Sequence, residues 1–242
     1  MNTTAGSIEQ CLALAIGHVN AGQTDRAKLL CEHALAAFPP HAAVLQLLAL
    51  LYLKQGELER AAHTIAASLE LRPDHAPSLL VAGDVARARG ELAAALEHHS
   101  RAYAQLPDRA DAALALGLTL HAGGRAREAA QALSKAVERA PGDAQAWFAL
   151  ALALQDMRDL DGAETALRRV LALVPSGAEA EVNLGVVLQE SGRMDEAMRA
   201  YGRAFRLRAD SFGRIAHALA AASVGCLWLD LEMLRETLRN PD

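Results

Sequence analysis

The chain has 242 residues, 52% of them hydrophobic but only 4% aromatic, with alanine abundant and a formal charge of −5. Alanine is the strongest helix former, and no alternating run of β-branched residues marks a strand, so a sheet-based enzyme is excluded first. The acidic balance excludes a phosphate-binding face built on surplus Lys and Arg, so no nucleic-acid partner is expected.

The N-terminal residues 1–7 lack a basic stretch followed by an apolar one, so no secretory signal is read. The longest apolar window, residues 42–53, is too short to cross a bilayer. Three cysteines without metal-ligand spacing fit a reducing compartment. Together these place the expected location in the cytoplasm, with no membrane insertion.

From residue 8 onward the chain repeats. Pro39, Pro73, Pro107, Pro141 and Pro175 follow one another at intervals of 34 residues. They define units 8–41, 42–75, 76–109, 110–143 and 144–177, and a sixth, 178–211, carries Ala209 where proline is expected. A fixed period of this length marks a stacked repeat rather than a globular domain. The eighth position of each unit is small (Ala15, Ala49, Gly83, Gly117, Ala151, Gly185), and the twentieth is always alanine (Ala27, Ala61, Ala95, Ala129, Ala163, Ala197). Two antiparallel helices approach closely only where side chains are minimal, so the two columns predict a helix hairpin in every unit.

Between the columns stands the turn glycine: Gly22, Gly56, Gly90, Gly124 and Gly192, with Arg158 as the exception. Glycine there takes the left-handed conformation that ends a helix. Arg158 either accepts that conformation at about 1 kcal/mol of strain or passes the turn to Asp159. A local change of geometry over residues 156–161 is the expectation.

The tail, residues 212–242, leaves the period. Ile215, Leu219 and Ala222 form one helical stripe, and Leu227, Leu231, Leu234 and Leu238 form a second after Gly225. Alternatively Asp230 caps a shorter last helix and leaves residues 226–229 extended. Two functions stand open for this tail: a cap over the last unit, or a docking surface built on Trp228, Leu231 and Leu234, since aromatic anchors favour interfaces.

These residues resemble the tetratricopeptide repeat. The fifth unit carries the pattern most fully, in Trp147, Leu150, Ala151, Leu154, Ala163, Leu167, Val170 and Pro175, and the second in Leu45, Leu48, Ala49, Tyr52, Ala61, Ile65 and Pro73. The resemblance covers residues 8–211 and implies an all-α, right-handed α-solenoid of six helix hairpins with C-terminal capping helices. Glu181, Ala209 and the pair Cys11 and Cys31 depart from the pattern, which weakens the ends of the array more than its middle.

Chemistry is sparse. There is no nucleophile elbow, zinc-binding H-E-x-x-H, phosphate loop or Cys-x-x-Cys, so no catalytic residue, cofactor or metal is assigned. His98 and His99 are adjacent on a helix and point about 100° apart, which leaves His99 as a core residue. Cys11 and Cys31 face each other across the first hairpin, either as a redox pair or as small buried apolar groups. Arg199, Arg203, Arg206 and Arg208 form either a basic patch or an ordinary solvated face.

By the same resemblance, the first helix of each unit lines a concave groove. Its wall is Leu12 and Ile16 in the first unit, Leu47 and Leu50 in the second, and Leu80, Asp84 and Arg87 in the third. Leu114, Leu118 and His121 continue it, then Phe148, Leu152 and Gln155, and finally Val182, Asn183 and Val186. The family's carboxylate clamp is missing, because leucine, alanine and valine occupy the positions where it needs lysine, asparagine and arginine. An apolar groove implies a non-catalytic adaptor for a helical or apolar segment of a partner protein, laid down through i, i+3, i+4, i+7 anchors. Two alternatives are a regulatory or targeting subunit of a separately encoded transferase or oxygenase, and a homo-oligomeric scaffold assembled through the last helix. Mutual burial by adjacent first helices would close the groove to all three.

Overall fold

The computed structural model describes residues 7–221 and 231–239, and these are helical with no strand among them. The chain divides into two compact units at Thr119 and Leu120.

In the first unit the helices are α1 (Ile8–Asn20), α2 (Thr24–Ala37), α3 (Ala42–Lys54), α4 (Leu58–Leu71), α5 (Ala76–Ala88) and α6 (Leu92–Gln105), followed by the start of α7 (Ala110–Ala122). They pair as hairpins, α1 with α2, α3 with α4 and α5 with α6, and the second helix of one pair packs on the first of the next. The small columns sit at the crossings: Ala15, Ala27, Ala49, Ala61 and Ala95 have no exposed surface. Around them Val44, Leu48, Leu51, Tyr52, Ile65 and Val85 form one continuous core. The third position of each first helix carries this packing: Val44 and Ser78 are wholly buried, whereas Gln10, at the open face of α1, is exposed. Ser7 instead closes a capping box with Gln10.

The second unit holds α8 (Ala126–Arg139), α9 (Ala144–Asp156), α10 (Leu160–Leu173), α11 (Ala178–Glu190) and α12 (Met194–Leu207), a 3₁₀ turn at Ala209–Ser211, α13 (Phe212–Ala221) and α14 (Leu231–Arg239). Hairpins α9–α10 and α11–α12 repeat the arrangement, α13 packs on α11, and α14 packs on α12. Ala163, Leu167, Val187, Ala197, Tyr201, Ile215, Leu219, Leu234 and Leu238 share its core. Without proline at Ala209, the linker still closes the bond from Ser211 N–H to the Arg208 carbonyl.

The turns inside the hairpins are uniform. Gly22, Gly56, Gly90, Gly124 and Gly192 lie at φ between 71° and 79°. Arg158 adopts φ 63° at the same place, so the expected change of geometry does not occur. Its amide donates to the Gln155 carbonyl at 2.8 Å and that of Asp159 to Leu154 at 2.9 Å, matching the bonds of Gly22 and Gln23 to Val19 and His18. Asp159 also caps α10 by accepting from the Gly162 amide, a side-chain cap that Gln23, Glu57, Glu91, Arg125 and Arg193 do not supply to their helices.

The described part of the last helix is α14, Leu231–Arg239, and residues 222–230, on which the two readings of the tail differ, lie outside the described residues. Leu234 and Leu238 are buried while Leu231 is 52% exposed, which removes Leu231 from the buried stripe. Arg206 fastens α14 by donating to the carbonyls of Leu238 and Arg239 at its C-terminal end. Trp228, Leu227 and Cys226 lie outside the described residues. None of the described helices is long and apolar enough to cross a membrane.

Candidate partner-binding face

Fifteen of the sixteen residues read as groove wall keep accessible surface, while many of the residues beside them in α3, α5, α7, α9 and α11 are buried. In the first unit Leu12, Leu47, Leu50, Leu80, Leu114 and Leu118 are half-buried and Ile16 is 45% exposed. Leu48, Leu51 and Leu79, one residue away, are sealed. A helix turns about 100° per residue, so this contrast defines one face for the core and another left open. The wall has one charged interruption, where Arg87 donates to Asp84 at 2.9 Å.

Behind that pair lies His99. It is fully buried, as befits a core residue, with Nδ1 2.7 Å from Thr119 Oγ1 and Nε2 3.3 Å from the Leu80 carbonyl. Burial pushes its imidazole below the usual histidine value, the nearby Asp84 working in the opposite direction. A neutral ring is the form such a site holds.

In the second unit Phe148, Leu152, Gln155, Asn183 and Val186 are half-buried, and His121 Nε2 lies 2.9 Å from Asp156 Oδ2. Val182 departs from the expected open wall: only 3% exposed, it packs into the core that includes Ile215. Asn183 donates its amide to the Glu179 carbonyl, so one of its donors is already used. Leu234 is 1% exposed and is spent on the cap, leaving Leu231 as the accessible member of the expected tail interface among the described residues.

The remaining polar candidates resolve into structural roles. Glu181, at a normally apolar position, is buried and held by Arg203 through bonds of 2.7 and 2.9 Å. Arg208 pairs with Asp210. With Arg206 on α14, three of the four arginines of the expected patch are therefore engaged. Cys11 and Cys31 are free thiols. Burial, with Cys11 nearby, pushes the Cys31 thiol up to about 11 and keeps it from ionising at neutral pH. Among the described residues no cluster of three or more His, Cys, Asp and Glu is placed to hold a metal ion.

Two surfaces were missed by sequence reasoning. One is an apolar cleft of about 440 Å³ between α4 and α6, floored by Ala82, Val85 and Ala86 and walled by Ala62, Ala66, Leu69 and Ala94. Its signal was the run of alanines where bulkier side chains would fill the space. The other joins Val182 and Val186 of α11 to Gly213, Arg214 and His217 of α13. Counting the repeat register past residue 211 would have put Gly213 and His217 at the second and sixth positions, both inner-face positions.

Comparison with known proteins agrees with this arrangement. Tetratricopeptide-repeat profiles match residues 18–82, 74–144 and 148–214. No curated protein matches the chain. Among solved structures, YrrB, described as a TPR protein with an unusual peptide-binding site, is 25% identical over 79% of this chain and 96% of its own, with a TM-score of 0.65. PilW, described as a widely conserved type IV pilus biogenesis factor, is 16% identical over 90% of this chain and 100% of its own, TM-score 0.77. Pseudomonas aeruginosa pilF is 18% identical over 89% and 97%, TM-score 0.76. The last two share the fold. With profile matches over residues 18–144 and 148–214, the chain belongs to the tetratricopeptide-repeat family, a protein-interaction scaffold.

Proposed function

We propose that the protein is a non-catalytic adaptor, acting in the cytoplasm, whose inner helix faces take up a helical or apolar segment of a partner protein. The observation that carries this reading is the aliphatic row of the first unit. Leu47, Leu50, Leu80, Leu114 and Leu118 keep exposed surface in helices where neighbours such as Leu48, Leu51 and Leu79 are buried, and Leu12 lies on α1, where Leu14 and Ile16 are exposed as well. Covering a large aliphatic side chain completely gains about 1.5–3 kcal/mol, so a partner that covers the exposed part of several gains useful affinity. The peptide-binding site described for YrrB supports a peptide-like ligand.

The test is an affinity pull-down from native lysate with the wild-type chain and with Leu118→Glu and Leu152→Glu. A partner retained by the wild type and lost with the variants, at unchanged far-UV circular dichroism, is the expected result. Retention of every partner by both folded variants would show that the inner faces are not the binding surface. An enzyme held in fixed stoichiometry would turn the reading toward a targeting subunit. Self-association is the second reading, favoured by the exposure of Leu231 and Met233 on α14. It requires a concentration-dependent mass in light scattering that Leu231→Glu abolishes, and a constant monomer mass would dispose of it.

A further inference from the structure

We propose that the cleft between α4 and α6 is a second interaction site, which takes up a phenylalanine side chain of a partner protein together with the short stretch of chain that carries it. None of the residues read as groove wall lines this cleft, so the inference stands apart from the function proposed above.

Two successive junctions of the first unit are built alike. Helices α4, α5 and α6 begin and end 34 residues after α2, α3 and α4. At the first junction Tyr52 fills the space between the two second helices. The guanidinium of Arg60 lies 4.1 Å from the centre of its ring and the Lys28 ammonium 5.8 Å from it. The Tyr52 hydroxyl donates to Glu32 at 2.6 Å and accepts from Arg60 at 2.6 Å. One repeat later the places of Tyr52, Arg60, Glu32 and Lys28 are taken by Ala86, Ala94, Ala66 and Ala62. All four alanines line the cleft, whose volume is about 440 Å³.

Ala86 is the departure that opens it. The eleventh positions of the units are His18, Tyr52, Ala86, Leu120, Leu154 and Leu188, and alanine is the one small residue among them. Packed helices relax only in part around a shortened side chain, so the space persists and costs stability. A local rule broken without a compensating gain in packing marks a functional position. Ala66 is exposed and Ala62, Leu69 and Ala94 are half-buried, so the apolar walls can be reached from solvent.

Tyr52 shows what the space holds. A ring of that size fits between two second helices at this register, against a floor of Val85 and Ala86. Ala66 and Ala94 stand where Glu32 and Arg60 satisfy the hydroxyl, so a phenol would give up water for no partner, and a phenyl ring is favoured. Arg89 also lines the cleft, held by Glu59 and Glu91 at 3.4 and 3.2 Å. Glu59 is largely exposed, so that pairing is weak, and the guanidinium is available to an entering ring as Arg60 is to Tyr52. The acidic members of the cleft, Glu70 and Glu91, are exposed, and the ring strips no buried charge of its water. The emptied space is that of a ring and three long side chains together, more than one ring occupies. The residues on either side of a phenylalanine in a protein chain fill the remainder.

The experiment uses the full chain with isotope-labelled Ile, Leu and Val methyl groups, observed by NMR. The probes are N-acetyl-phenylalanine amide and N-acetyl-leucine amide at millimolar concentrations. The phenylalanine probe should shift the methyl signals of Ile65, Leu69 and Val85 saturably, bind at least fivefold more tightly than the leucine probe, and leave Leu118 unmoved. Ala86→Leu, which restores the residue type of Leu120, Leu154 and Leu188, should abolish these shifts, whereas Leu118→Glu should preserve them. A capped Ala-Ala-Phe-Ala-Ala peptide should bind at least fivefold more tightly than the single residue. No saturable shift, equal affinity for leucine, or shifts that persist in folded Ala86→Leu would overturn the site. Equal affinity of the peptide and the single residue would overturn the protein partner in favour of a small aromatic molecule. If Ala86→Leu does not fold, Ala66→Leu on the exposed wall carries the same test. Loss of the shifts in folded Leu118→Glu would show that the probe reports the inner face instead, and would overturn this site while leaving the inner-face reading in place.

Discussion

The imidazole of His99 occupies the space that a side chain on Gly83 would need. A Cβ built on Gly83 would come within 2.3 Å of the ring. Tyr201 and Gly185 stand in the same relation three units later, at 2.4 Å. Where the facing residue is aliphatic, as in Ile65 over Ala49 or Leu167 over Ala151, alanine is accommodated. Gly83→Ala should therefore cost about 1–3 kcal/mol by overpacking. Gly83→Ala/His99→Leu should recover much of that loss, because leucine is smaller across the crossing and Thr119 keeps its bond to the Ala115 carbonyl. Chemical denaturation of the two single variants and the double variant measures the coupling. Strict additivity would show that the ring and the missing methyl do not compete for one space.

The same ring ties the stability of the first unit to pH. Burial is the largest influence on His99, and likewise on His98 and His75, and in each it depresses the imidazole pKa below its unfolded value near 6.5. The folded state therefore binds protons less readily than the unfolded chain. The stabilisation from holding these rings neutral is complete above the unfolded pKa and fades as pH falls through and below 6.5. Thermal melts should show the midpoint constant between pH 7 and 8 and declining from pH 6.5 to 5. His99→Leu should flatten that decline. An unchanged pH profile in the variant would place the sensitivity elsewhere.

Arg158 is the one non-glycine residue at positive φ among the described residues, and it holds the turn its repeat demands. A side chain in the left-handed region costs about 1–2 kcal/mol. Its bond to Glu190 is 3.0 Å long, with the arginine 67% exposed, and returns little. Arg158→Gly should raise stability by about 1 kcal/mol, or roughly 2–4 °C in melting midpoint for a chain of this size. Asp159→Ala should lower it by about 0.5–2 kcal/mol through loss of the α10 cap. A destabilised Arg158→Gly would mean that the ion pair outweighs the backbone strain.

The hairpins were legible because their cause is compositional. Close helix crossings need small residues, and Ala27 through Ala197 state that need once per unit. The turn at Arg158 was not legible, since the pressure to keep it comes from the packing of Ala151 against Ala163 on either side rather than from the turn residue. The inner-face positions followed from the family resemblance. Their accessibility did not, because it depends on which helix lies alongside: Val182 is covered where α13 follows, while Leu80 and Leu118 stay partly open. Gly213, Arg214 and His217 escaped notice because the proline that marks the register is replaced by Ala209 just before them.

Glu181 and Arg203 offer the sharpest asymmetry. The carboxylate is 7% exposed and receives two charge-assisted bonds from a guanidinium that is 45% exposed. Removing the arginine strands an acid in the core of the second unit, whereas removing the acid frees an arginine that can turn to water. Losing one member of a fully buried pair costs about 3–5 kcal/mol, and the exposure of Arg203 should bring the cost of Arg203→Ala toward the lower end or below. Glu181→Leu restores the apolar residue usual at this repeat position and should be neutral or stabilising. Denaturant midpoints at pH 7 test the pair: Arg203→Ala must fall well below wild type while Glu181→Leu does not. Equal losses from both would mean that the bonds themselves, rather than the burial of an unpaired charge, set the energetics of this repeat.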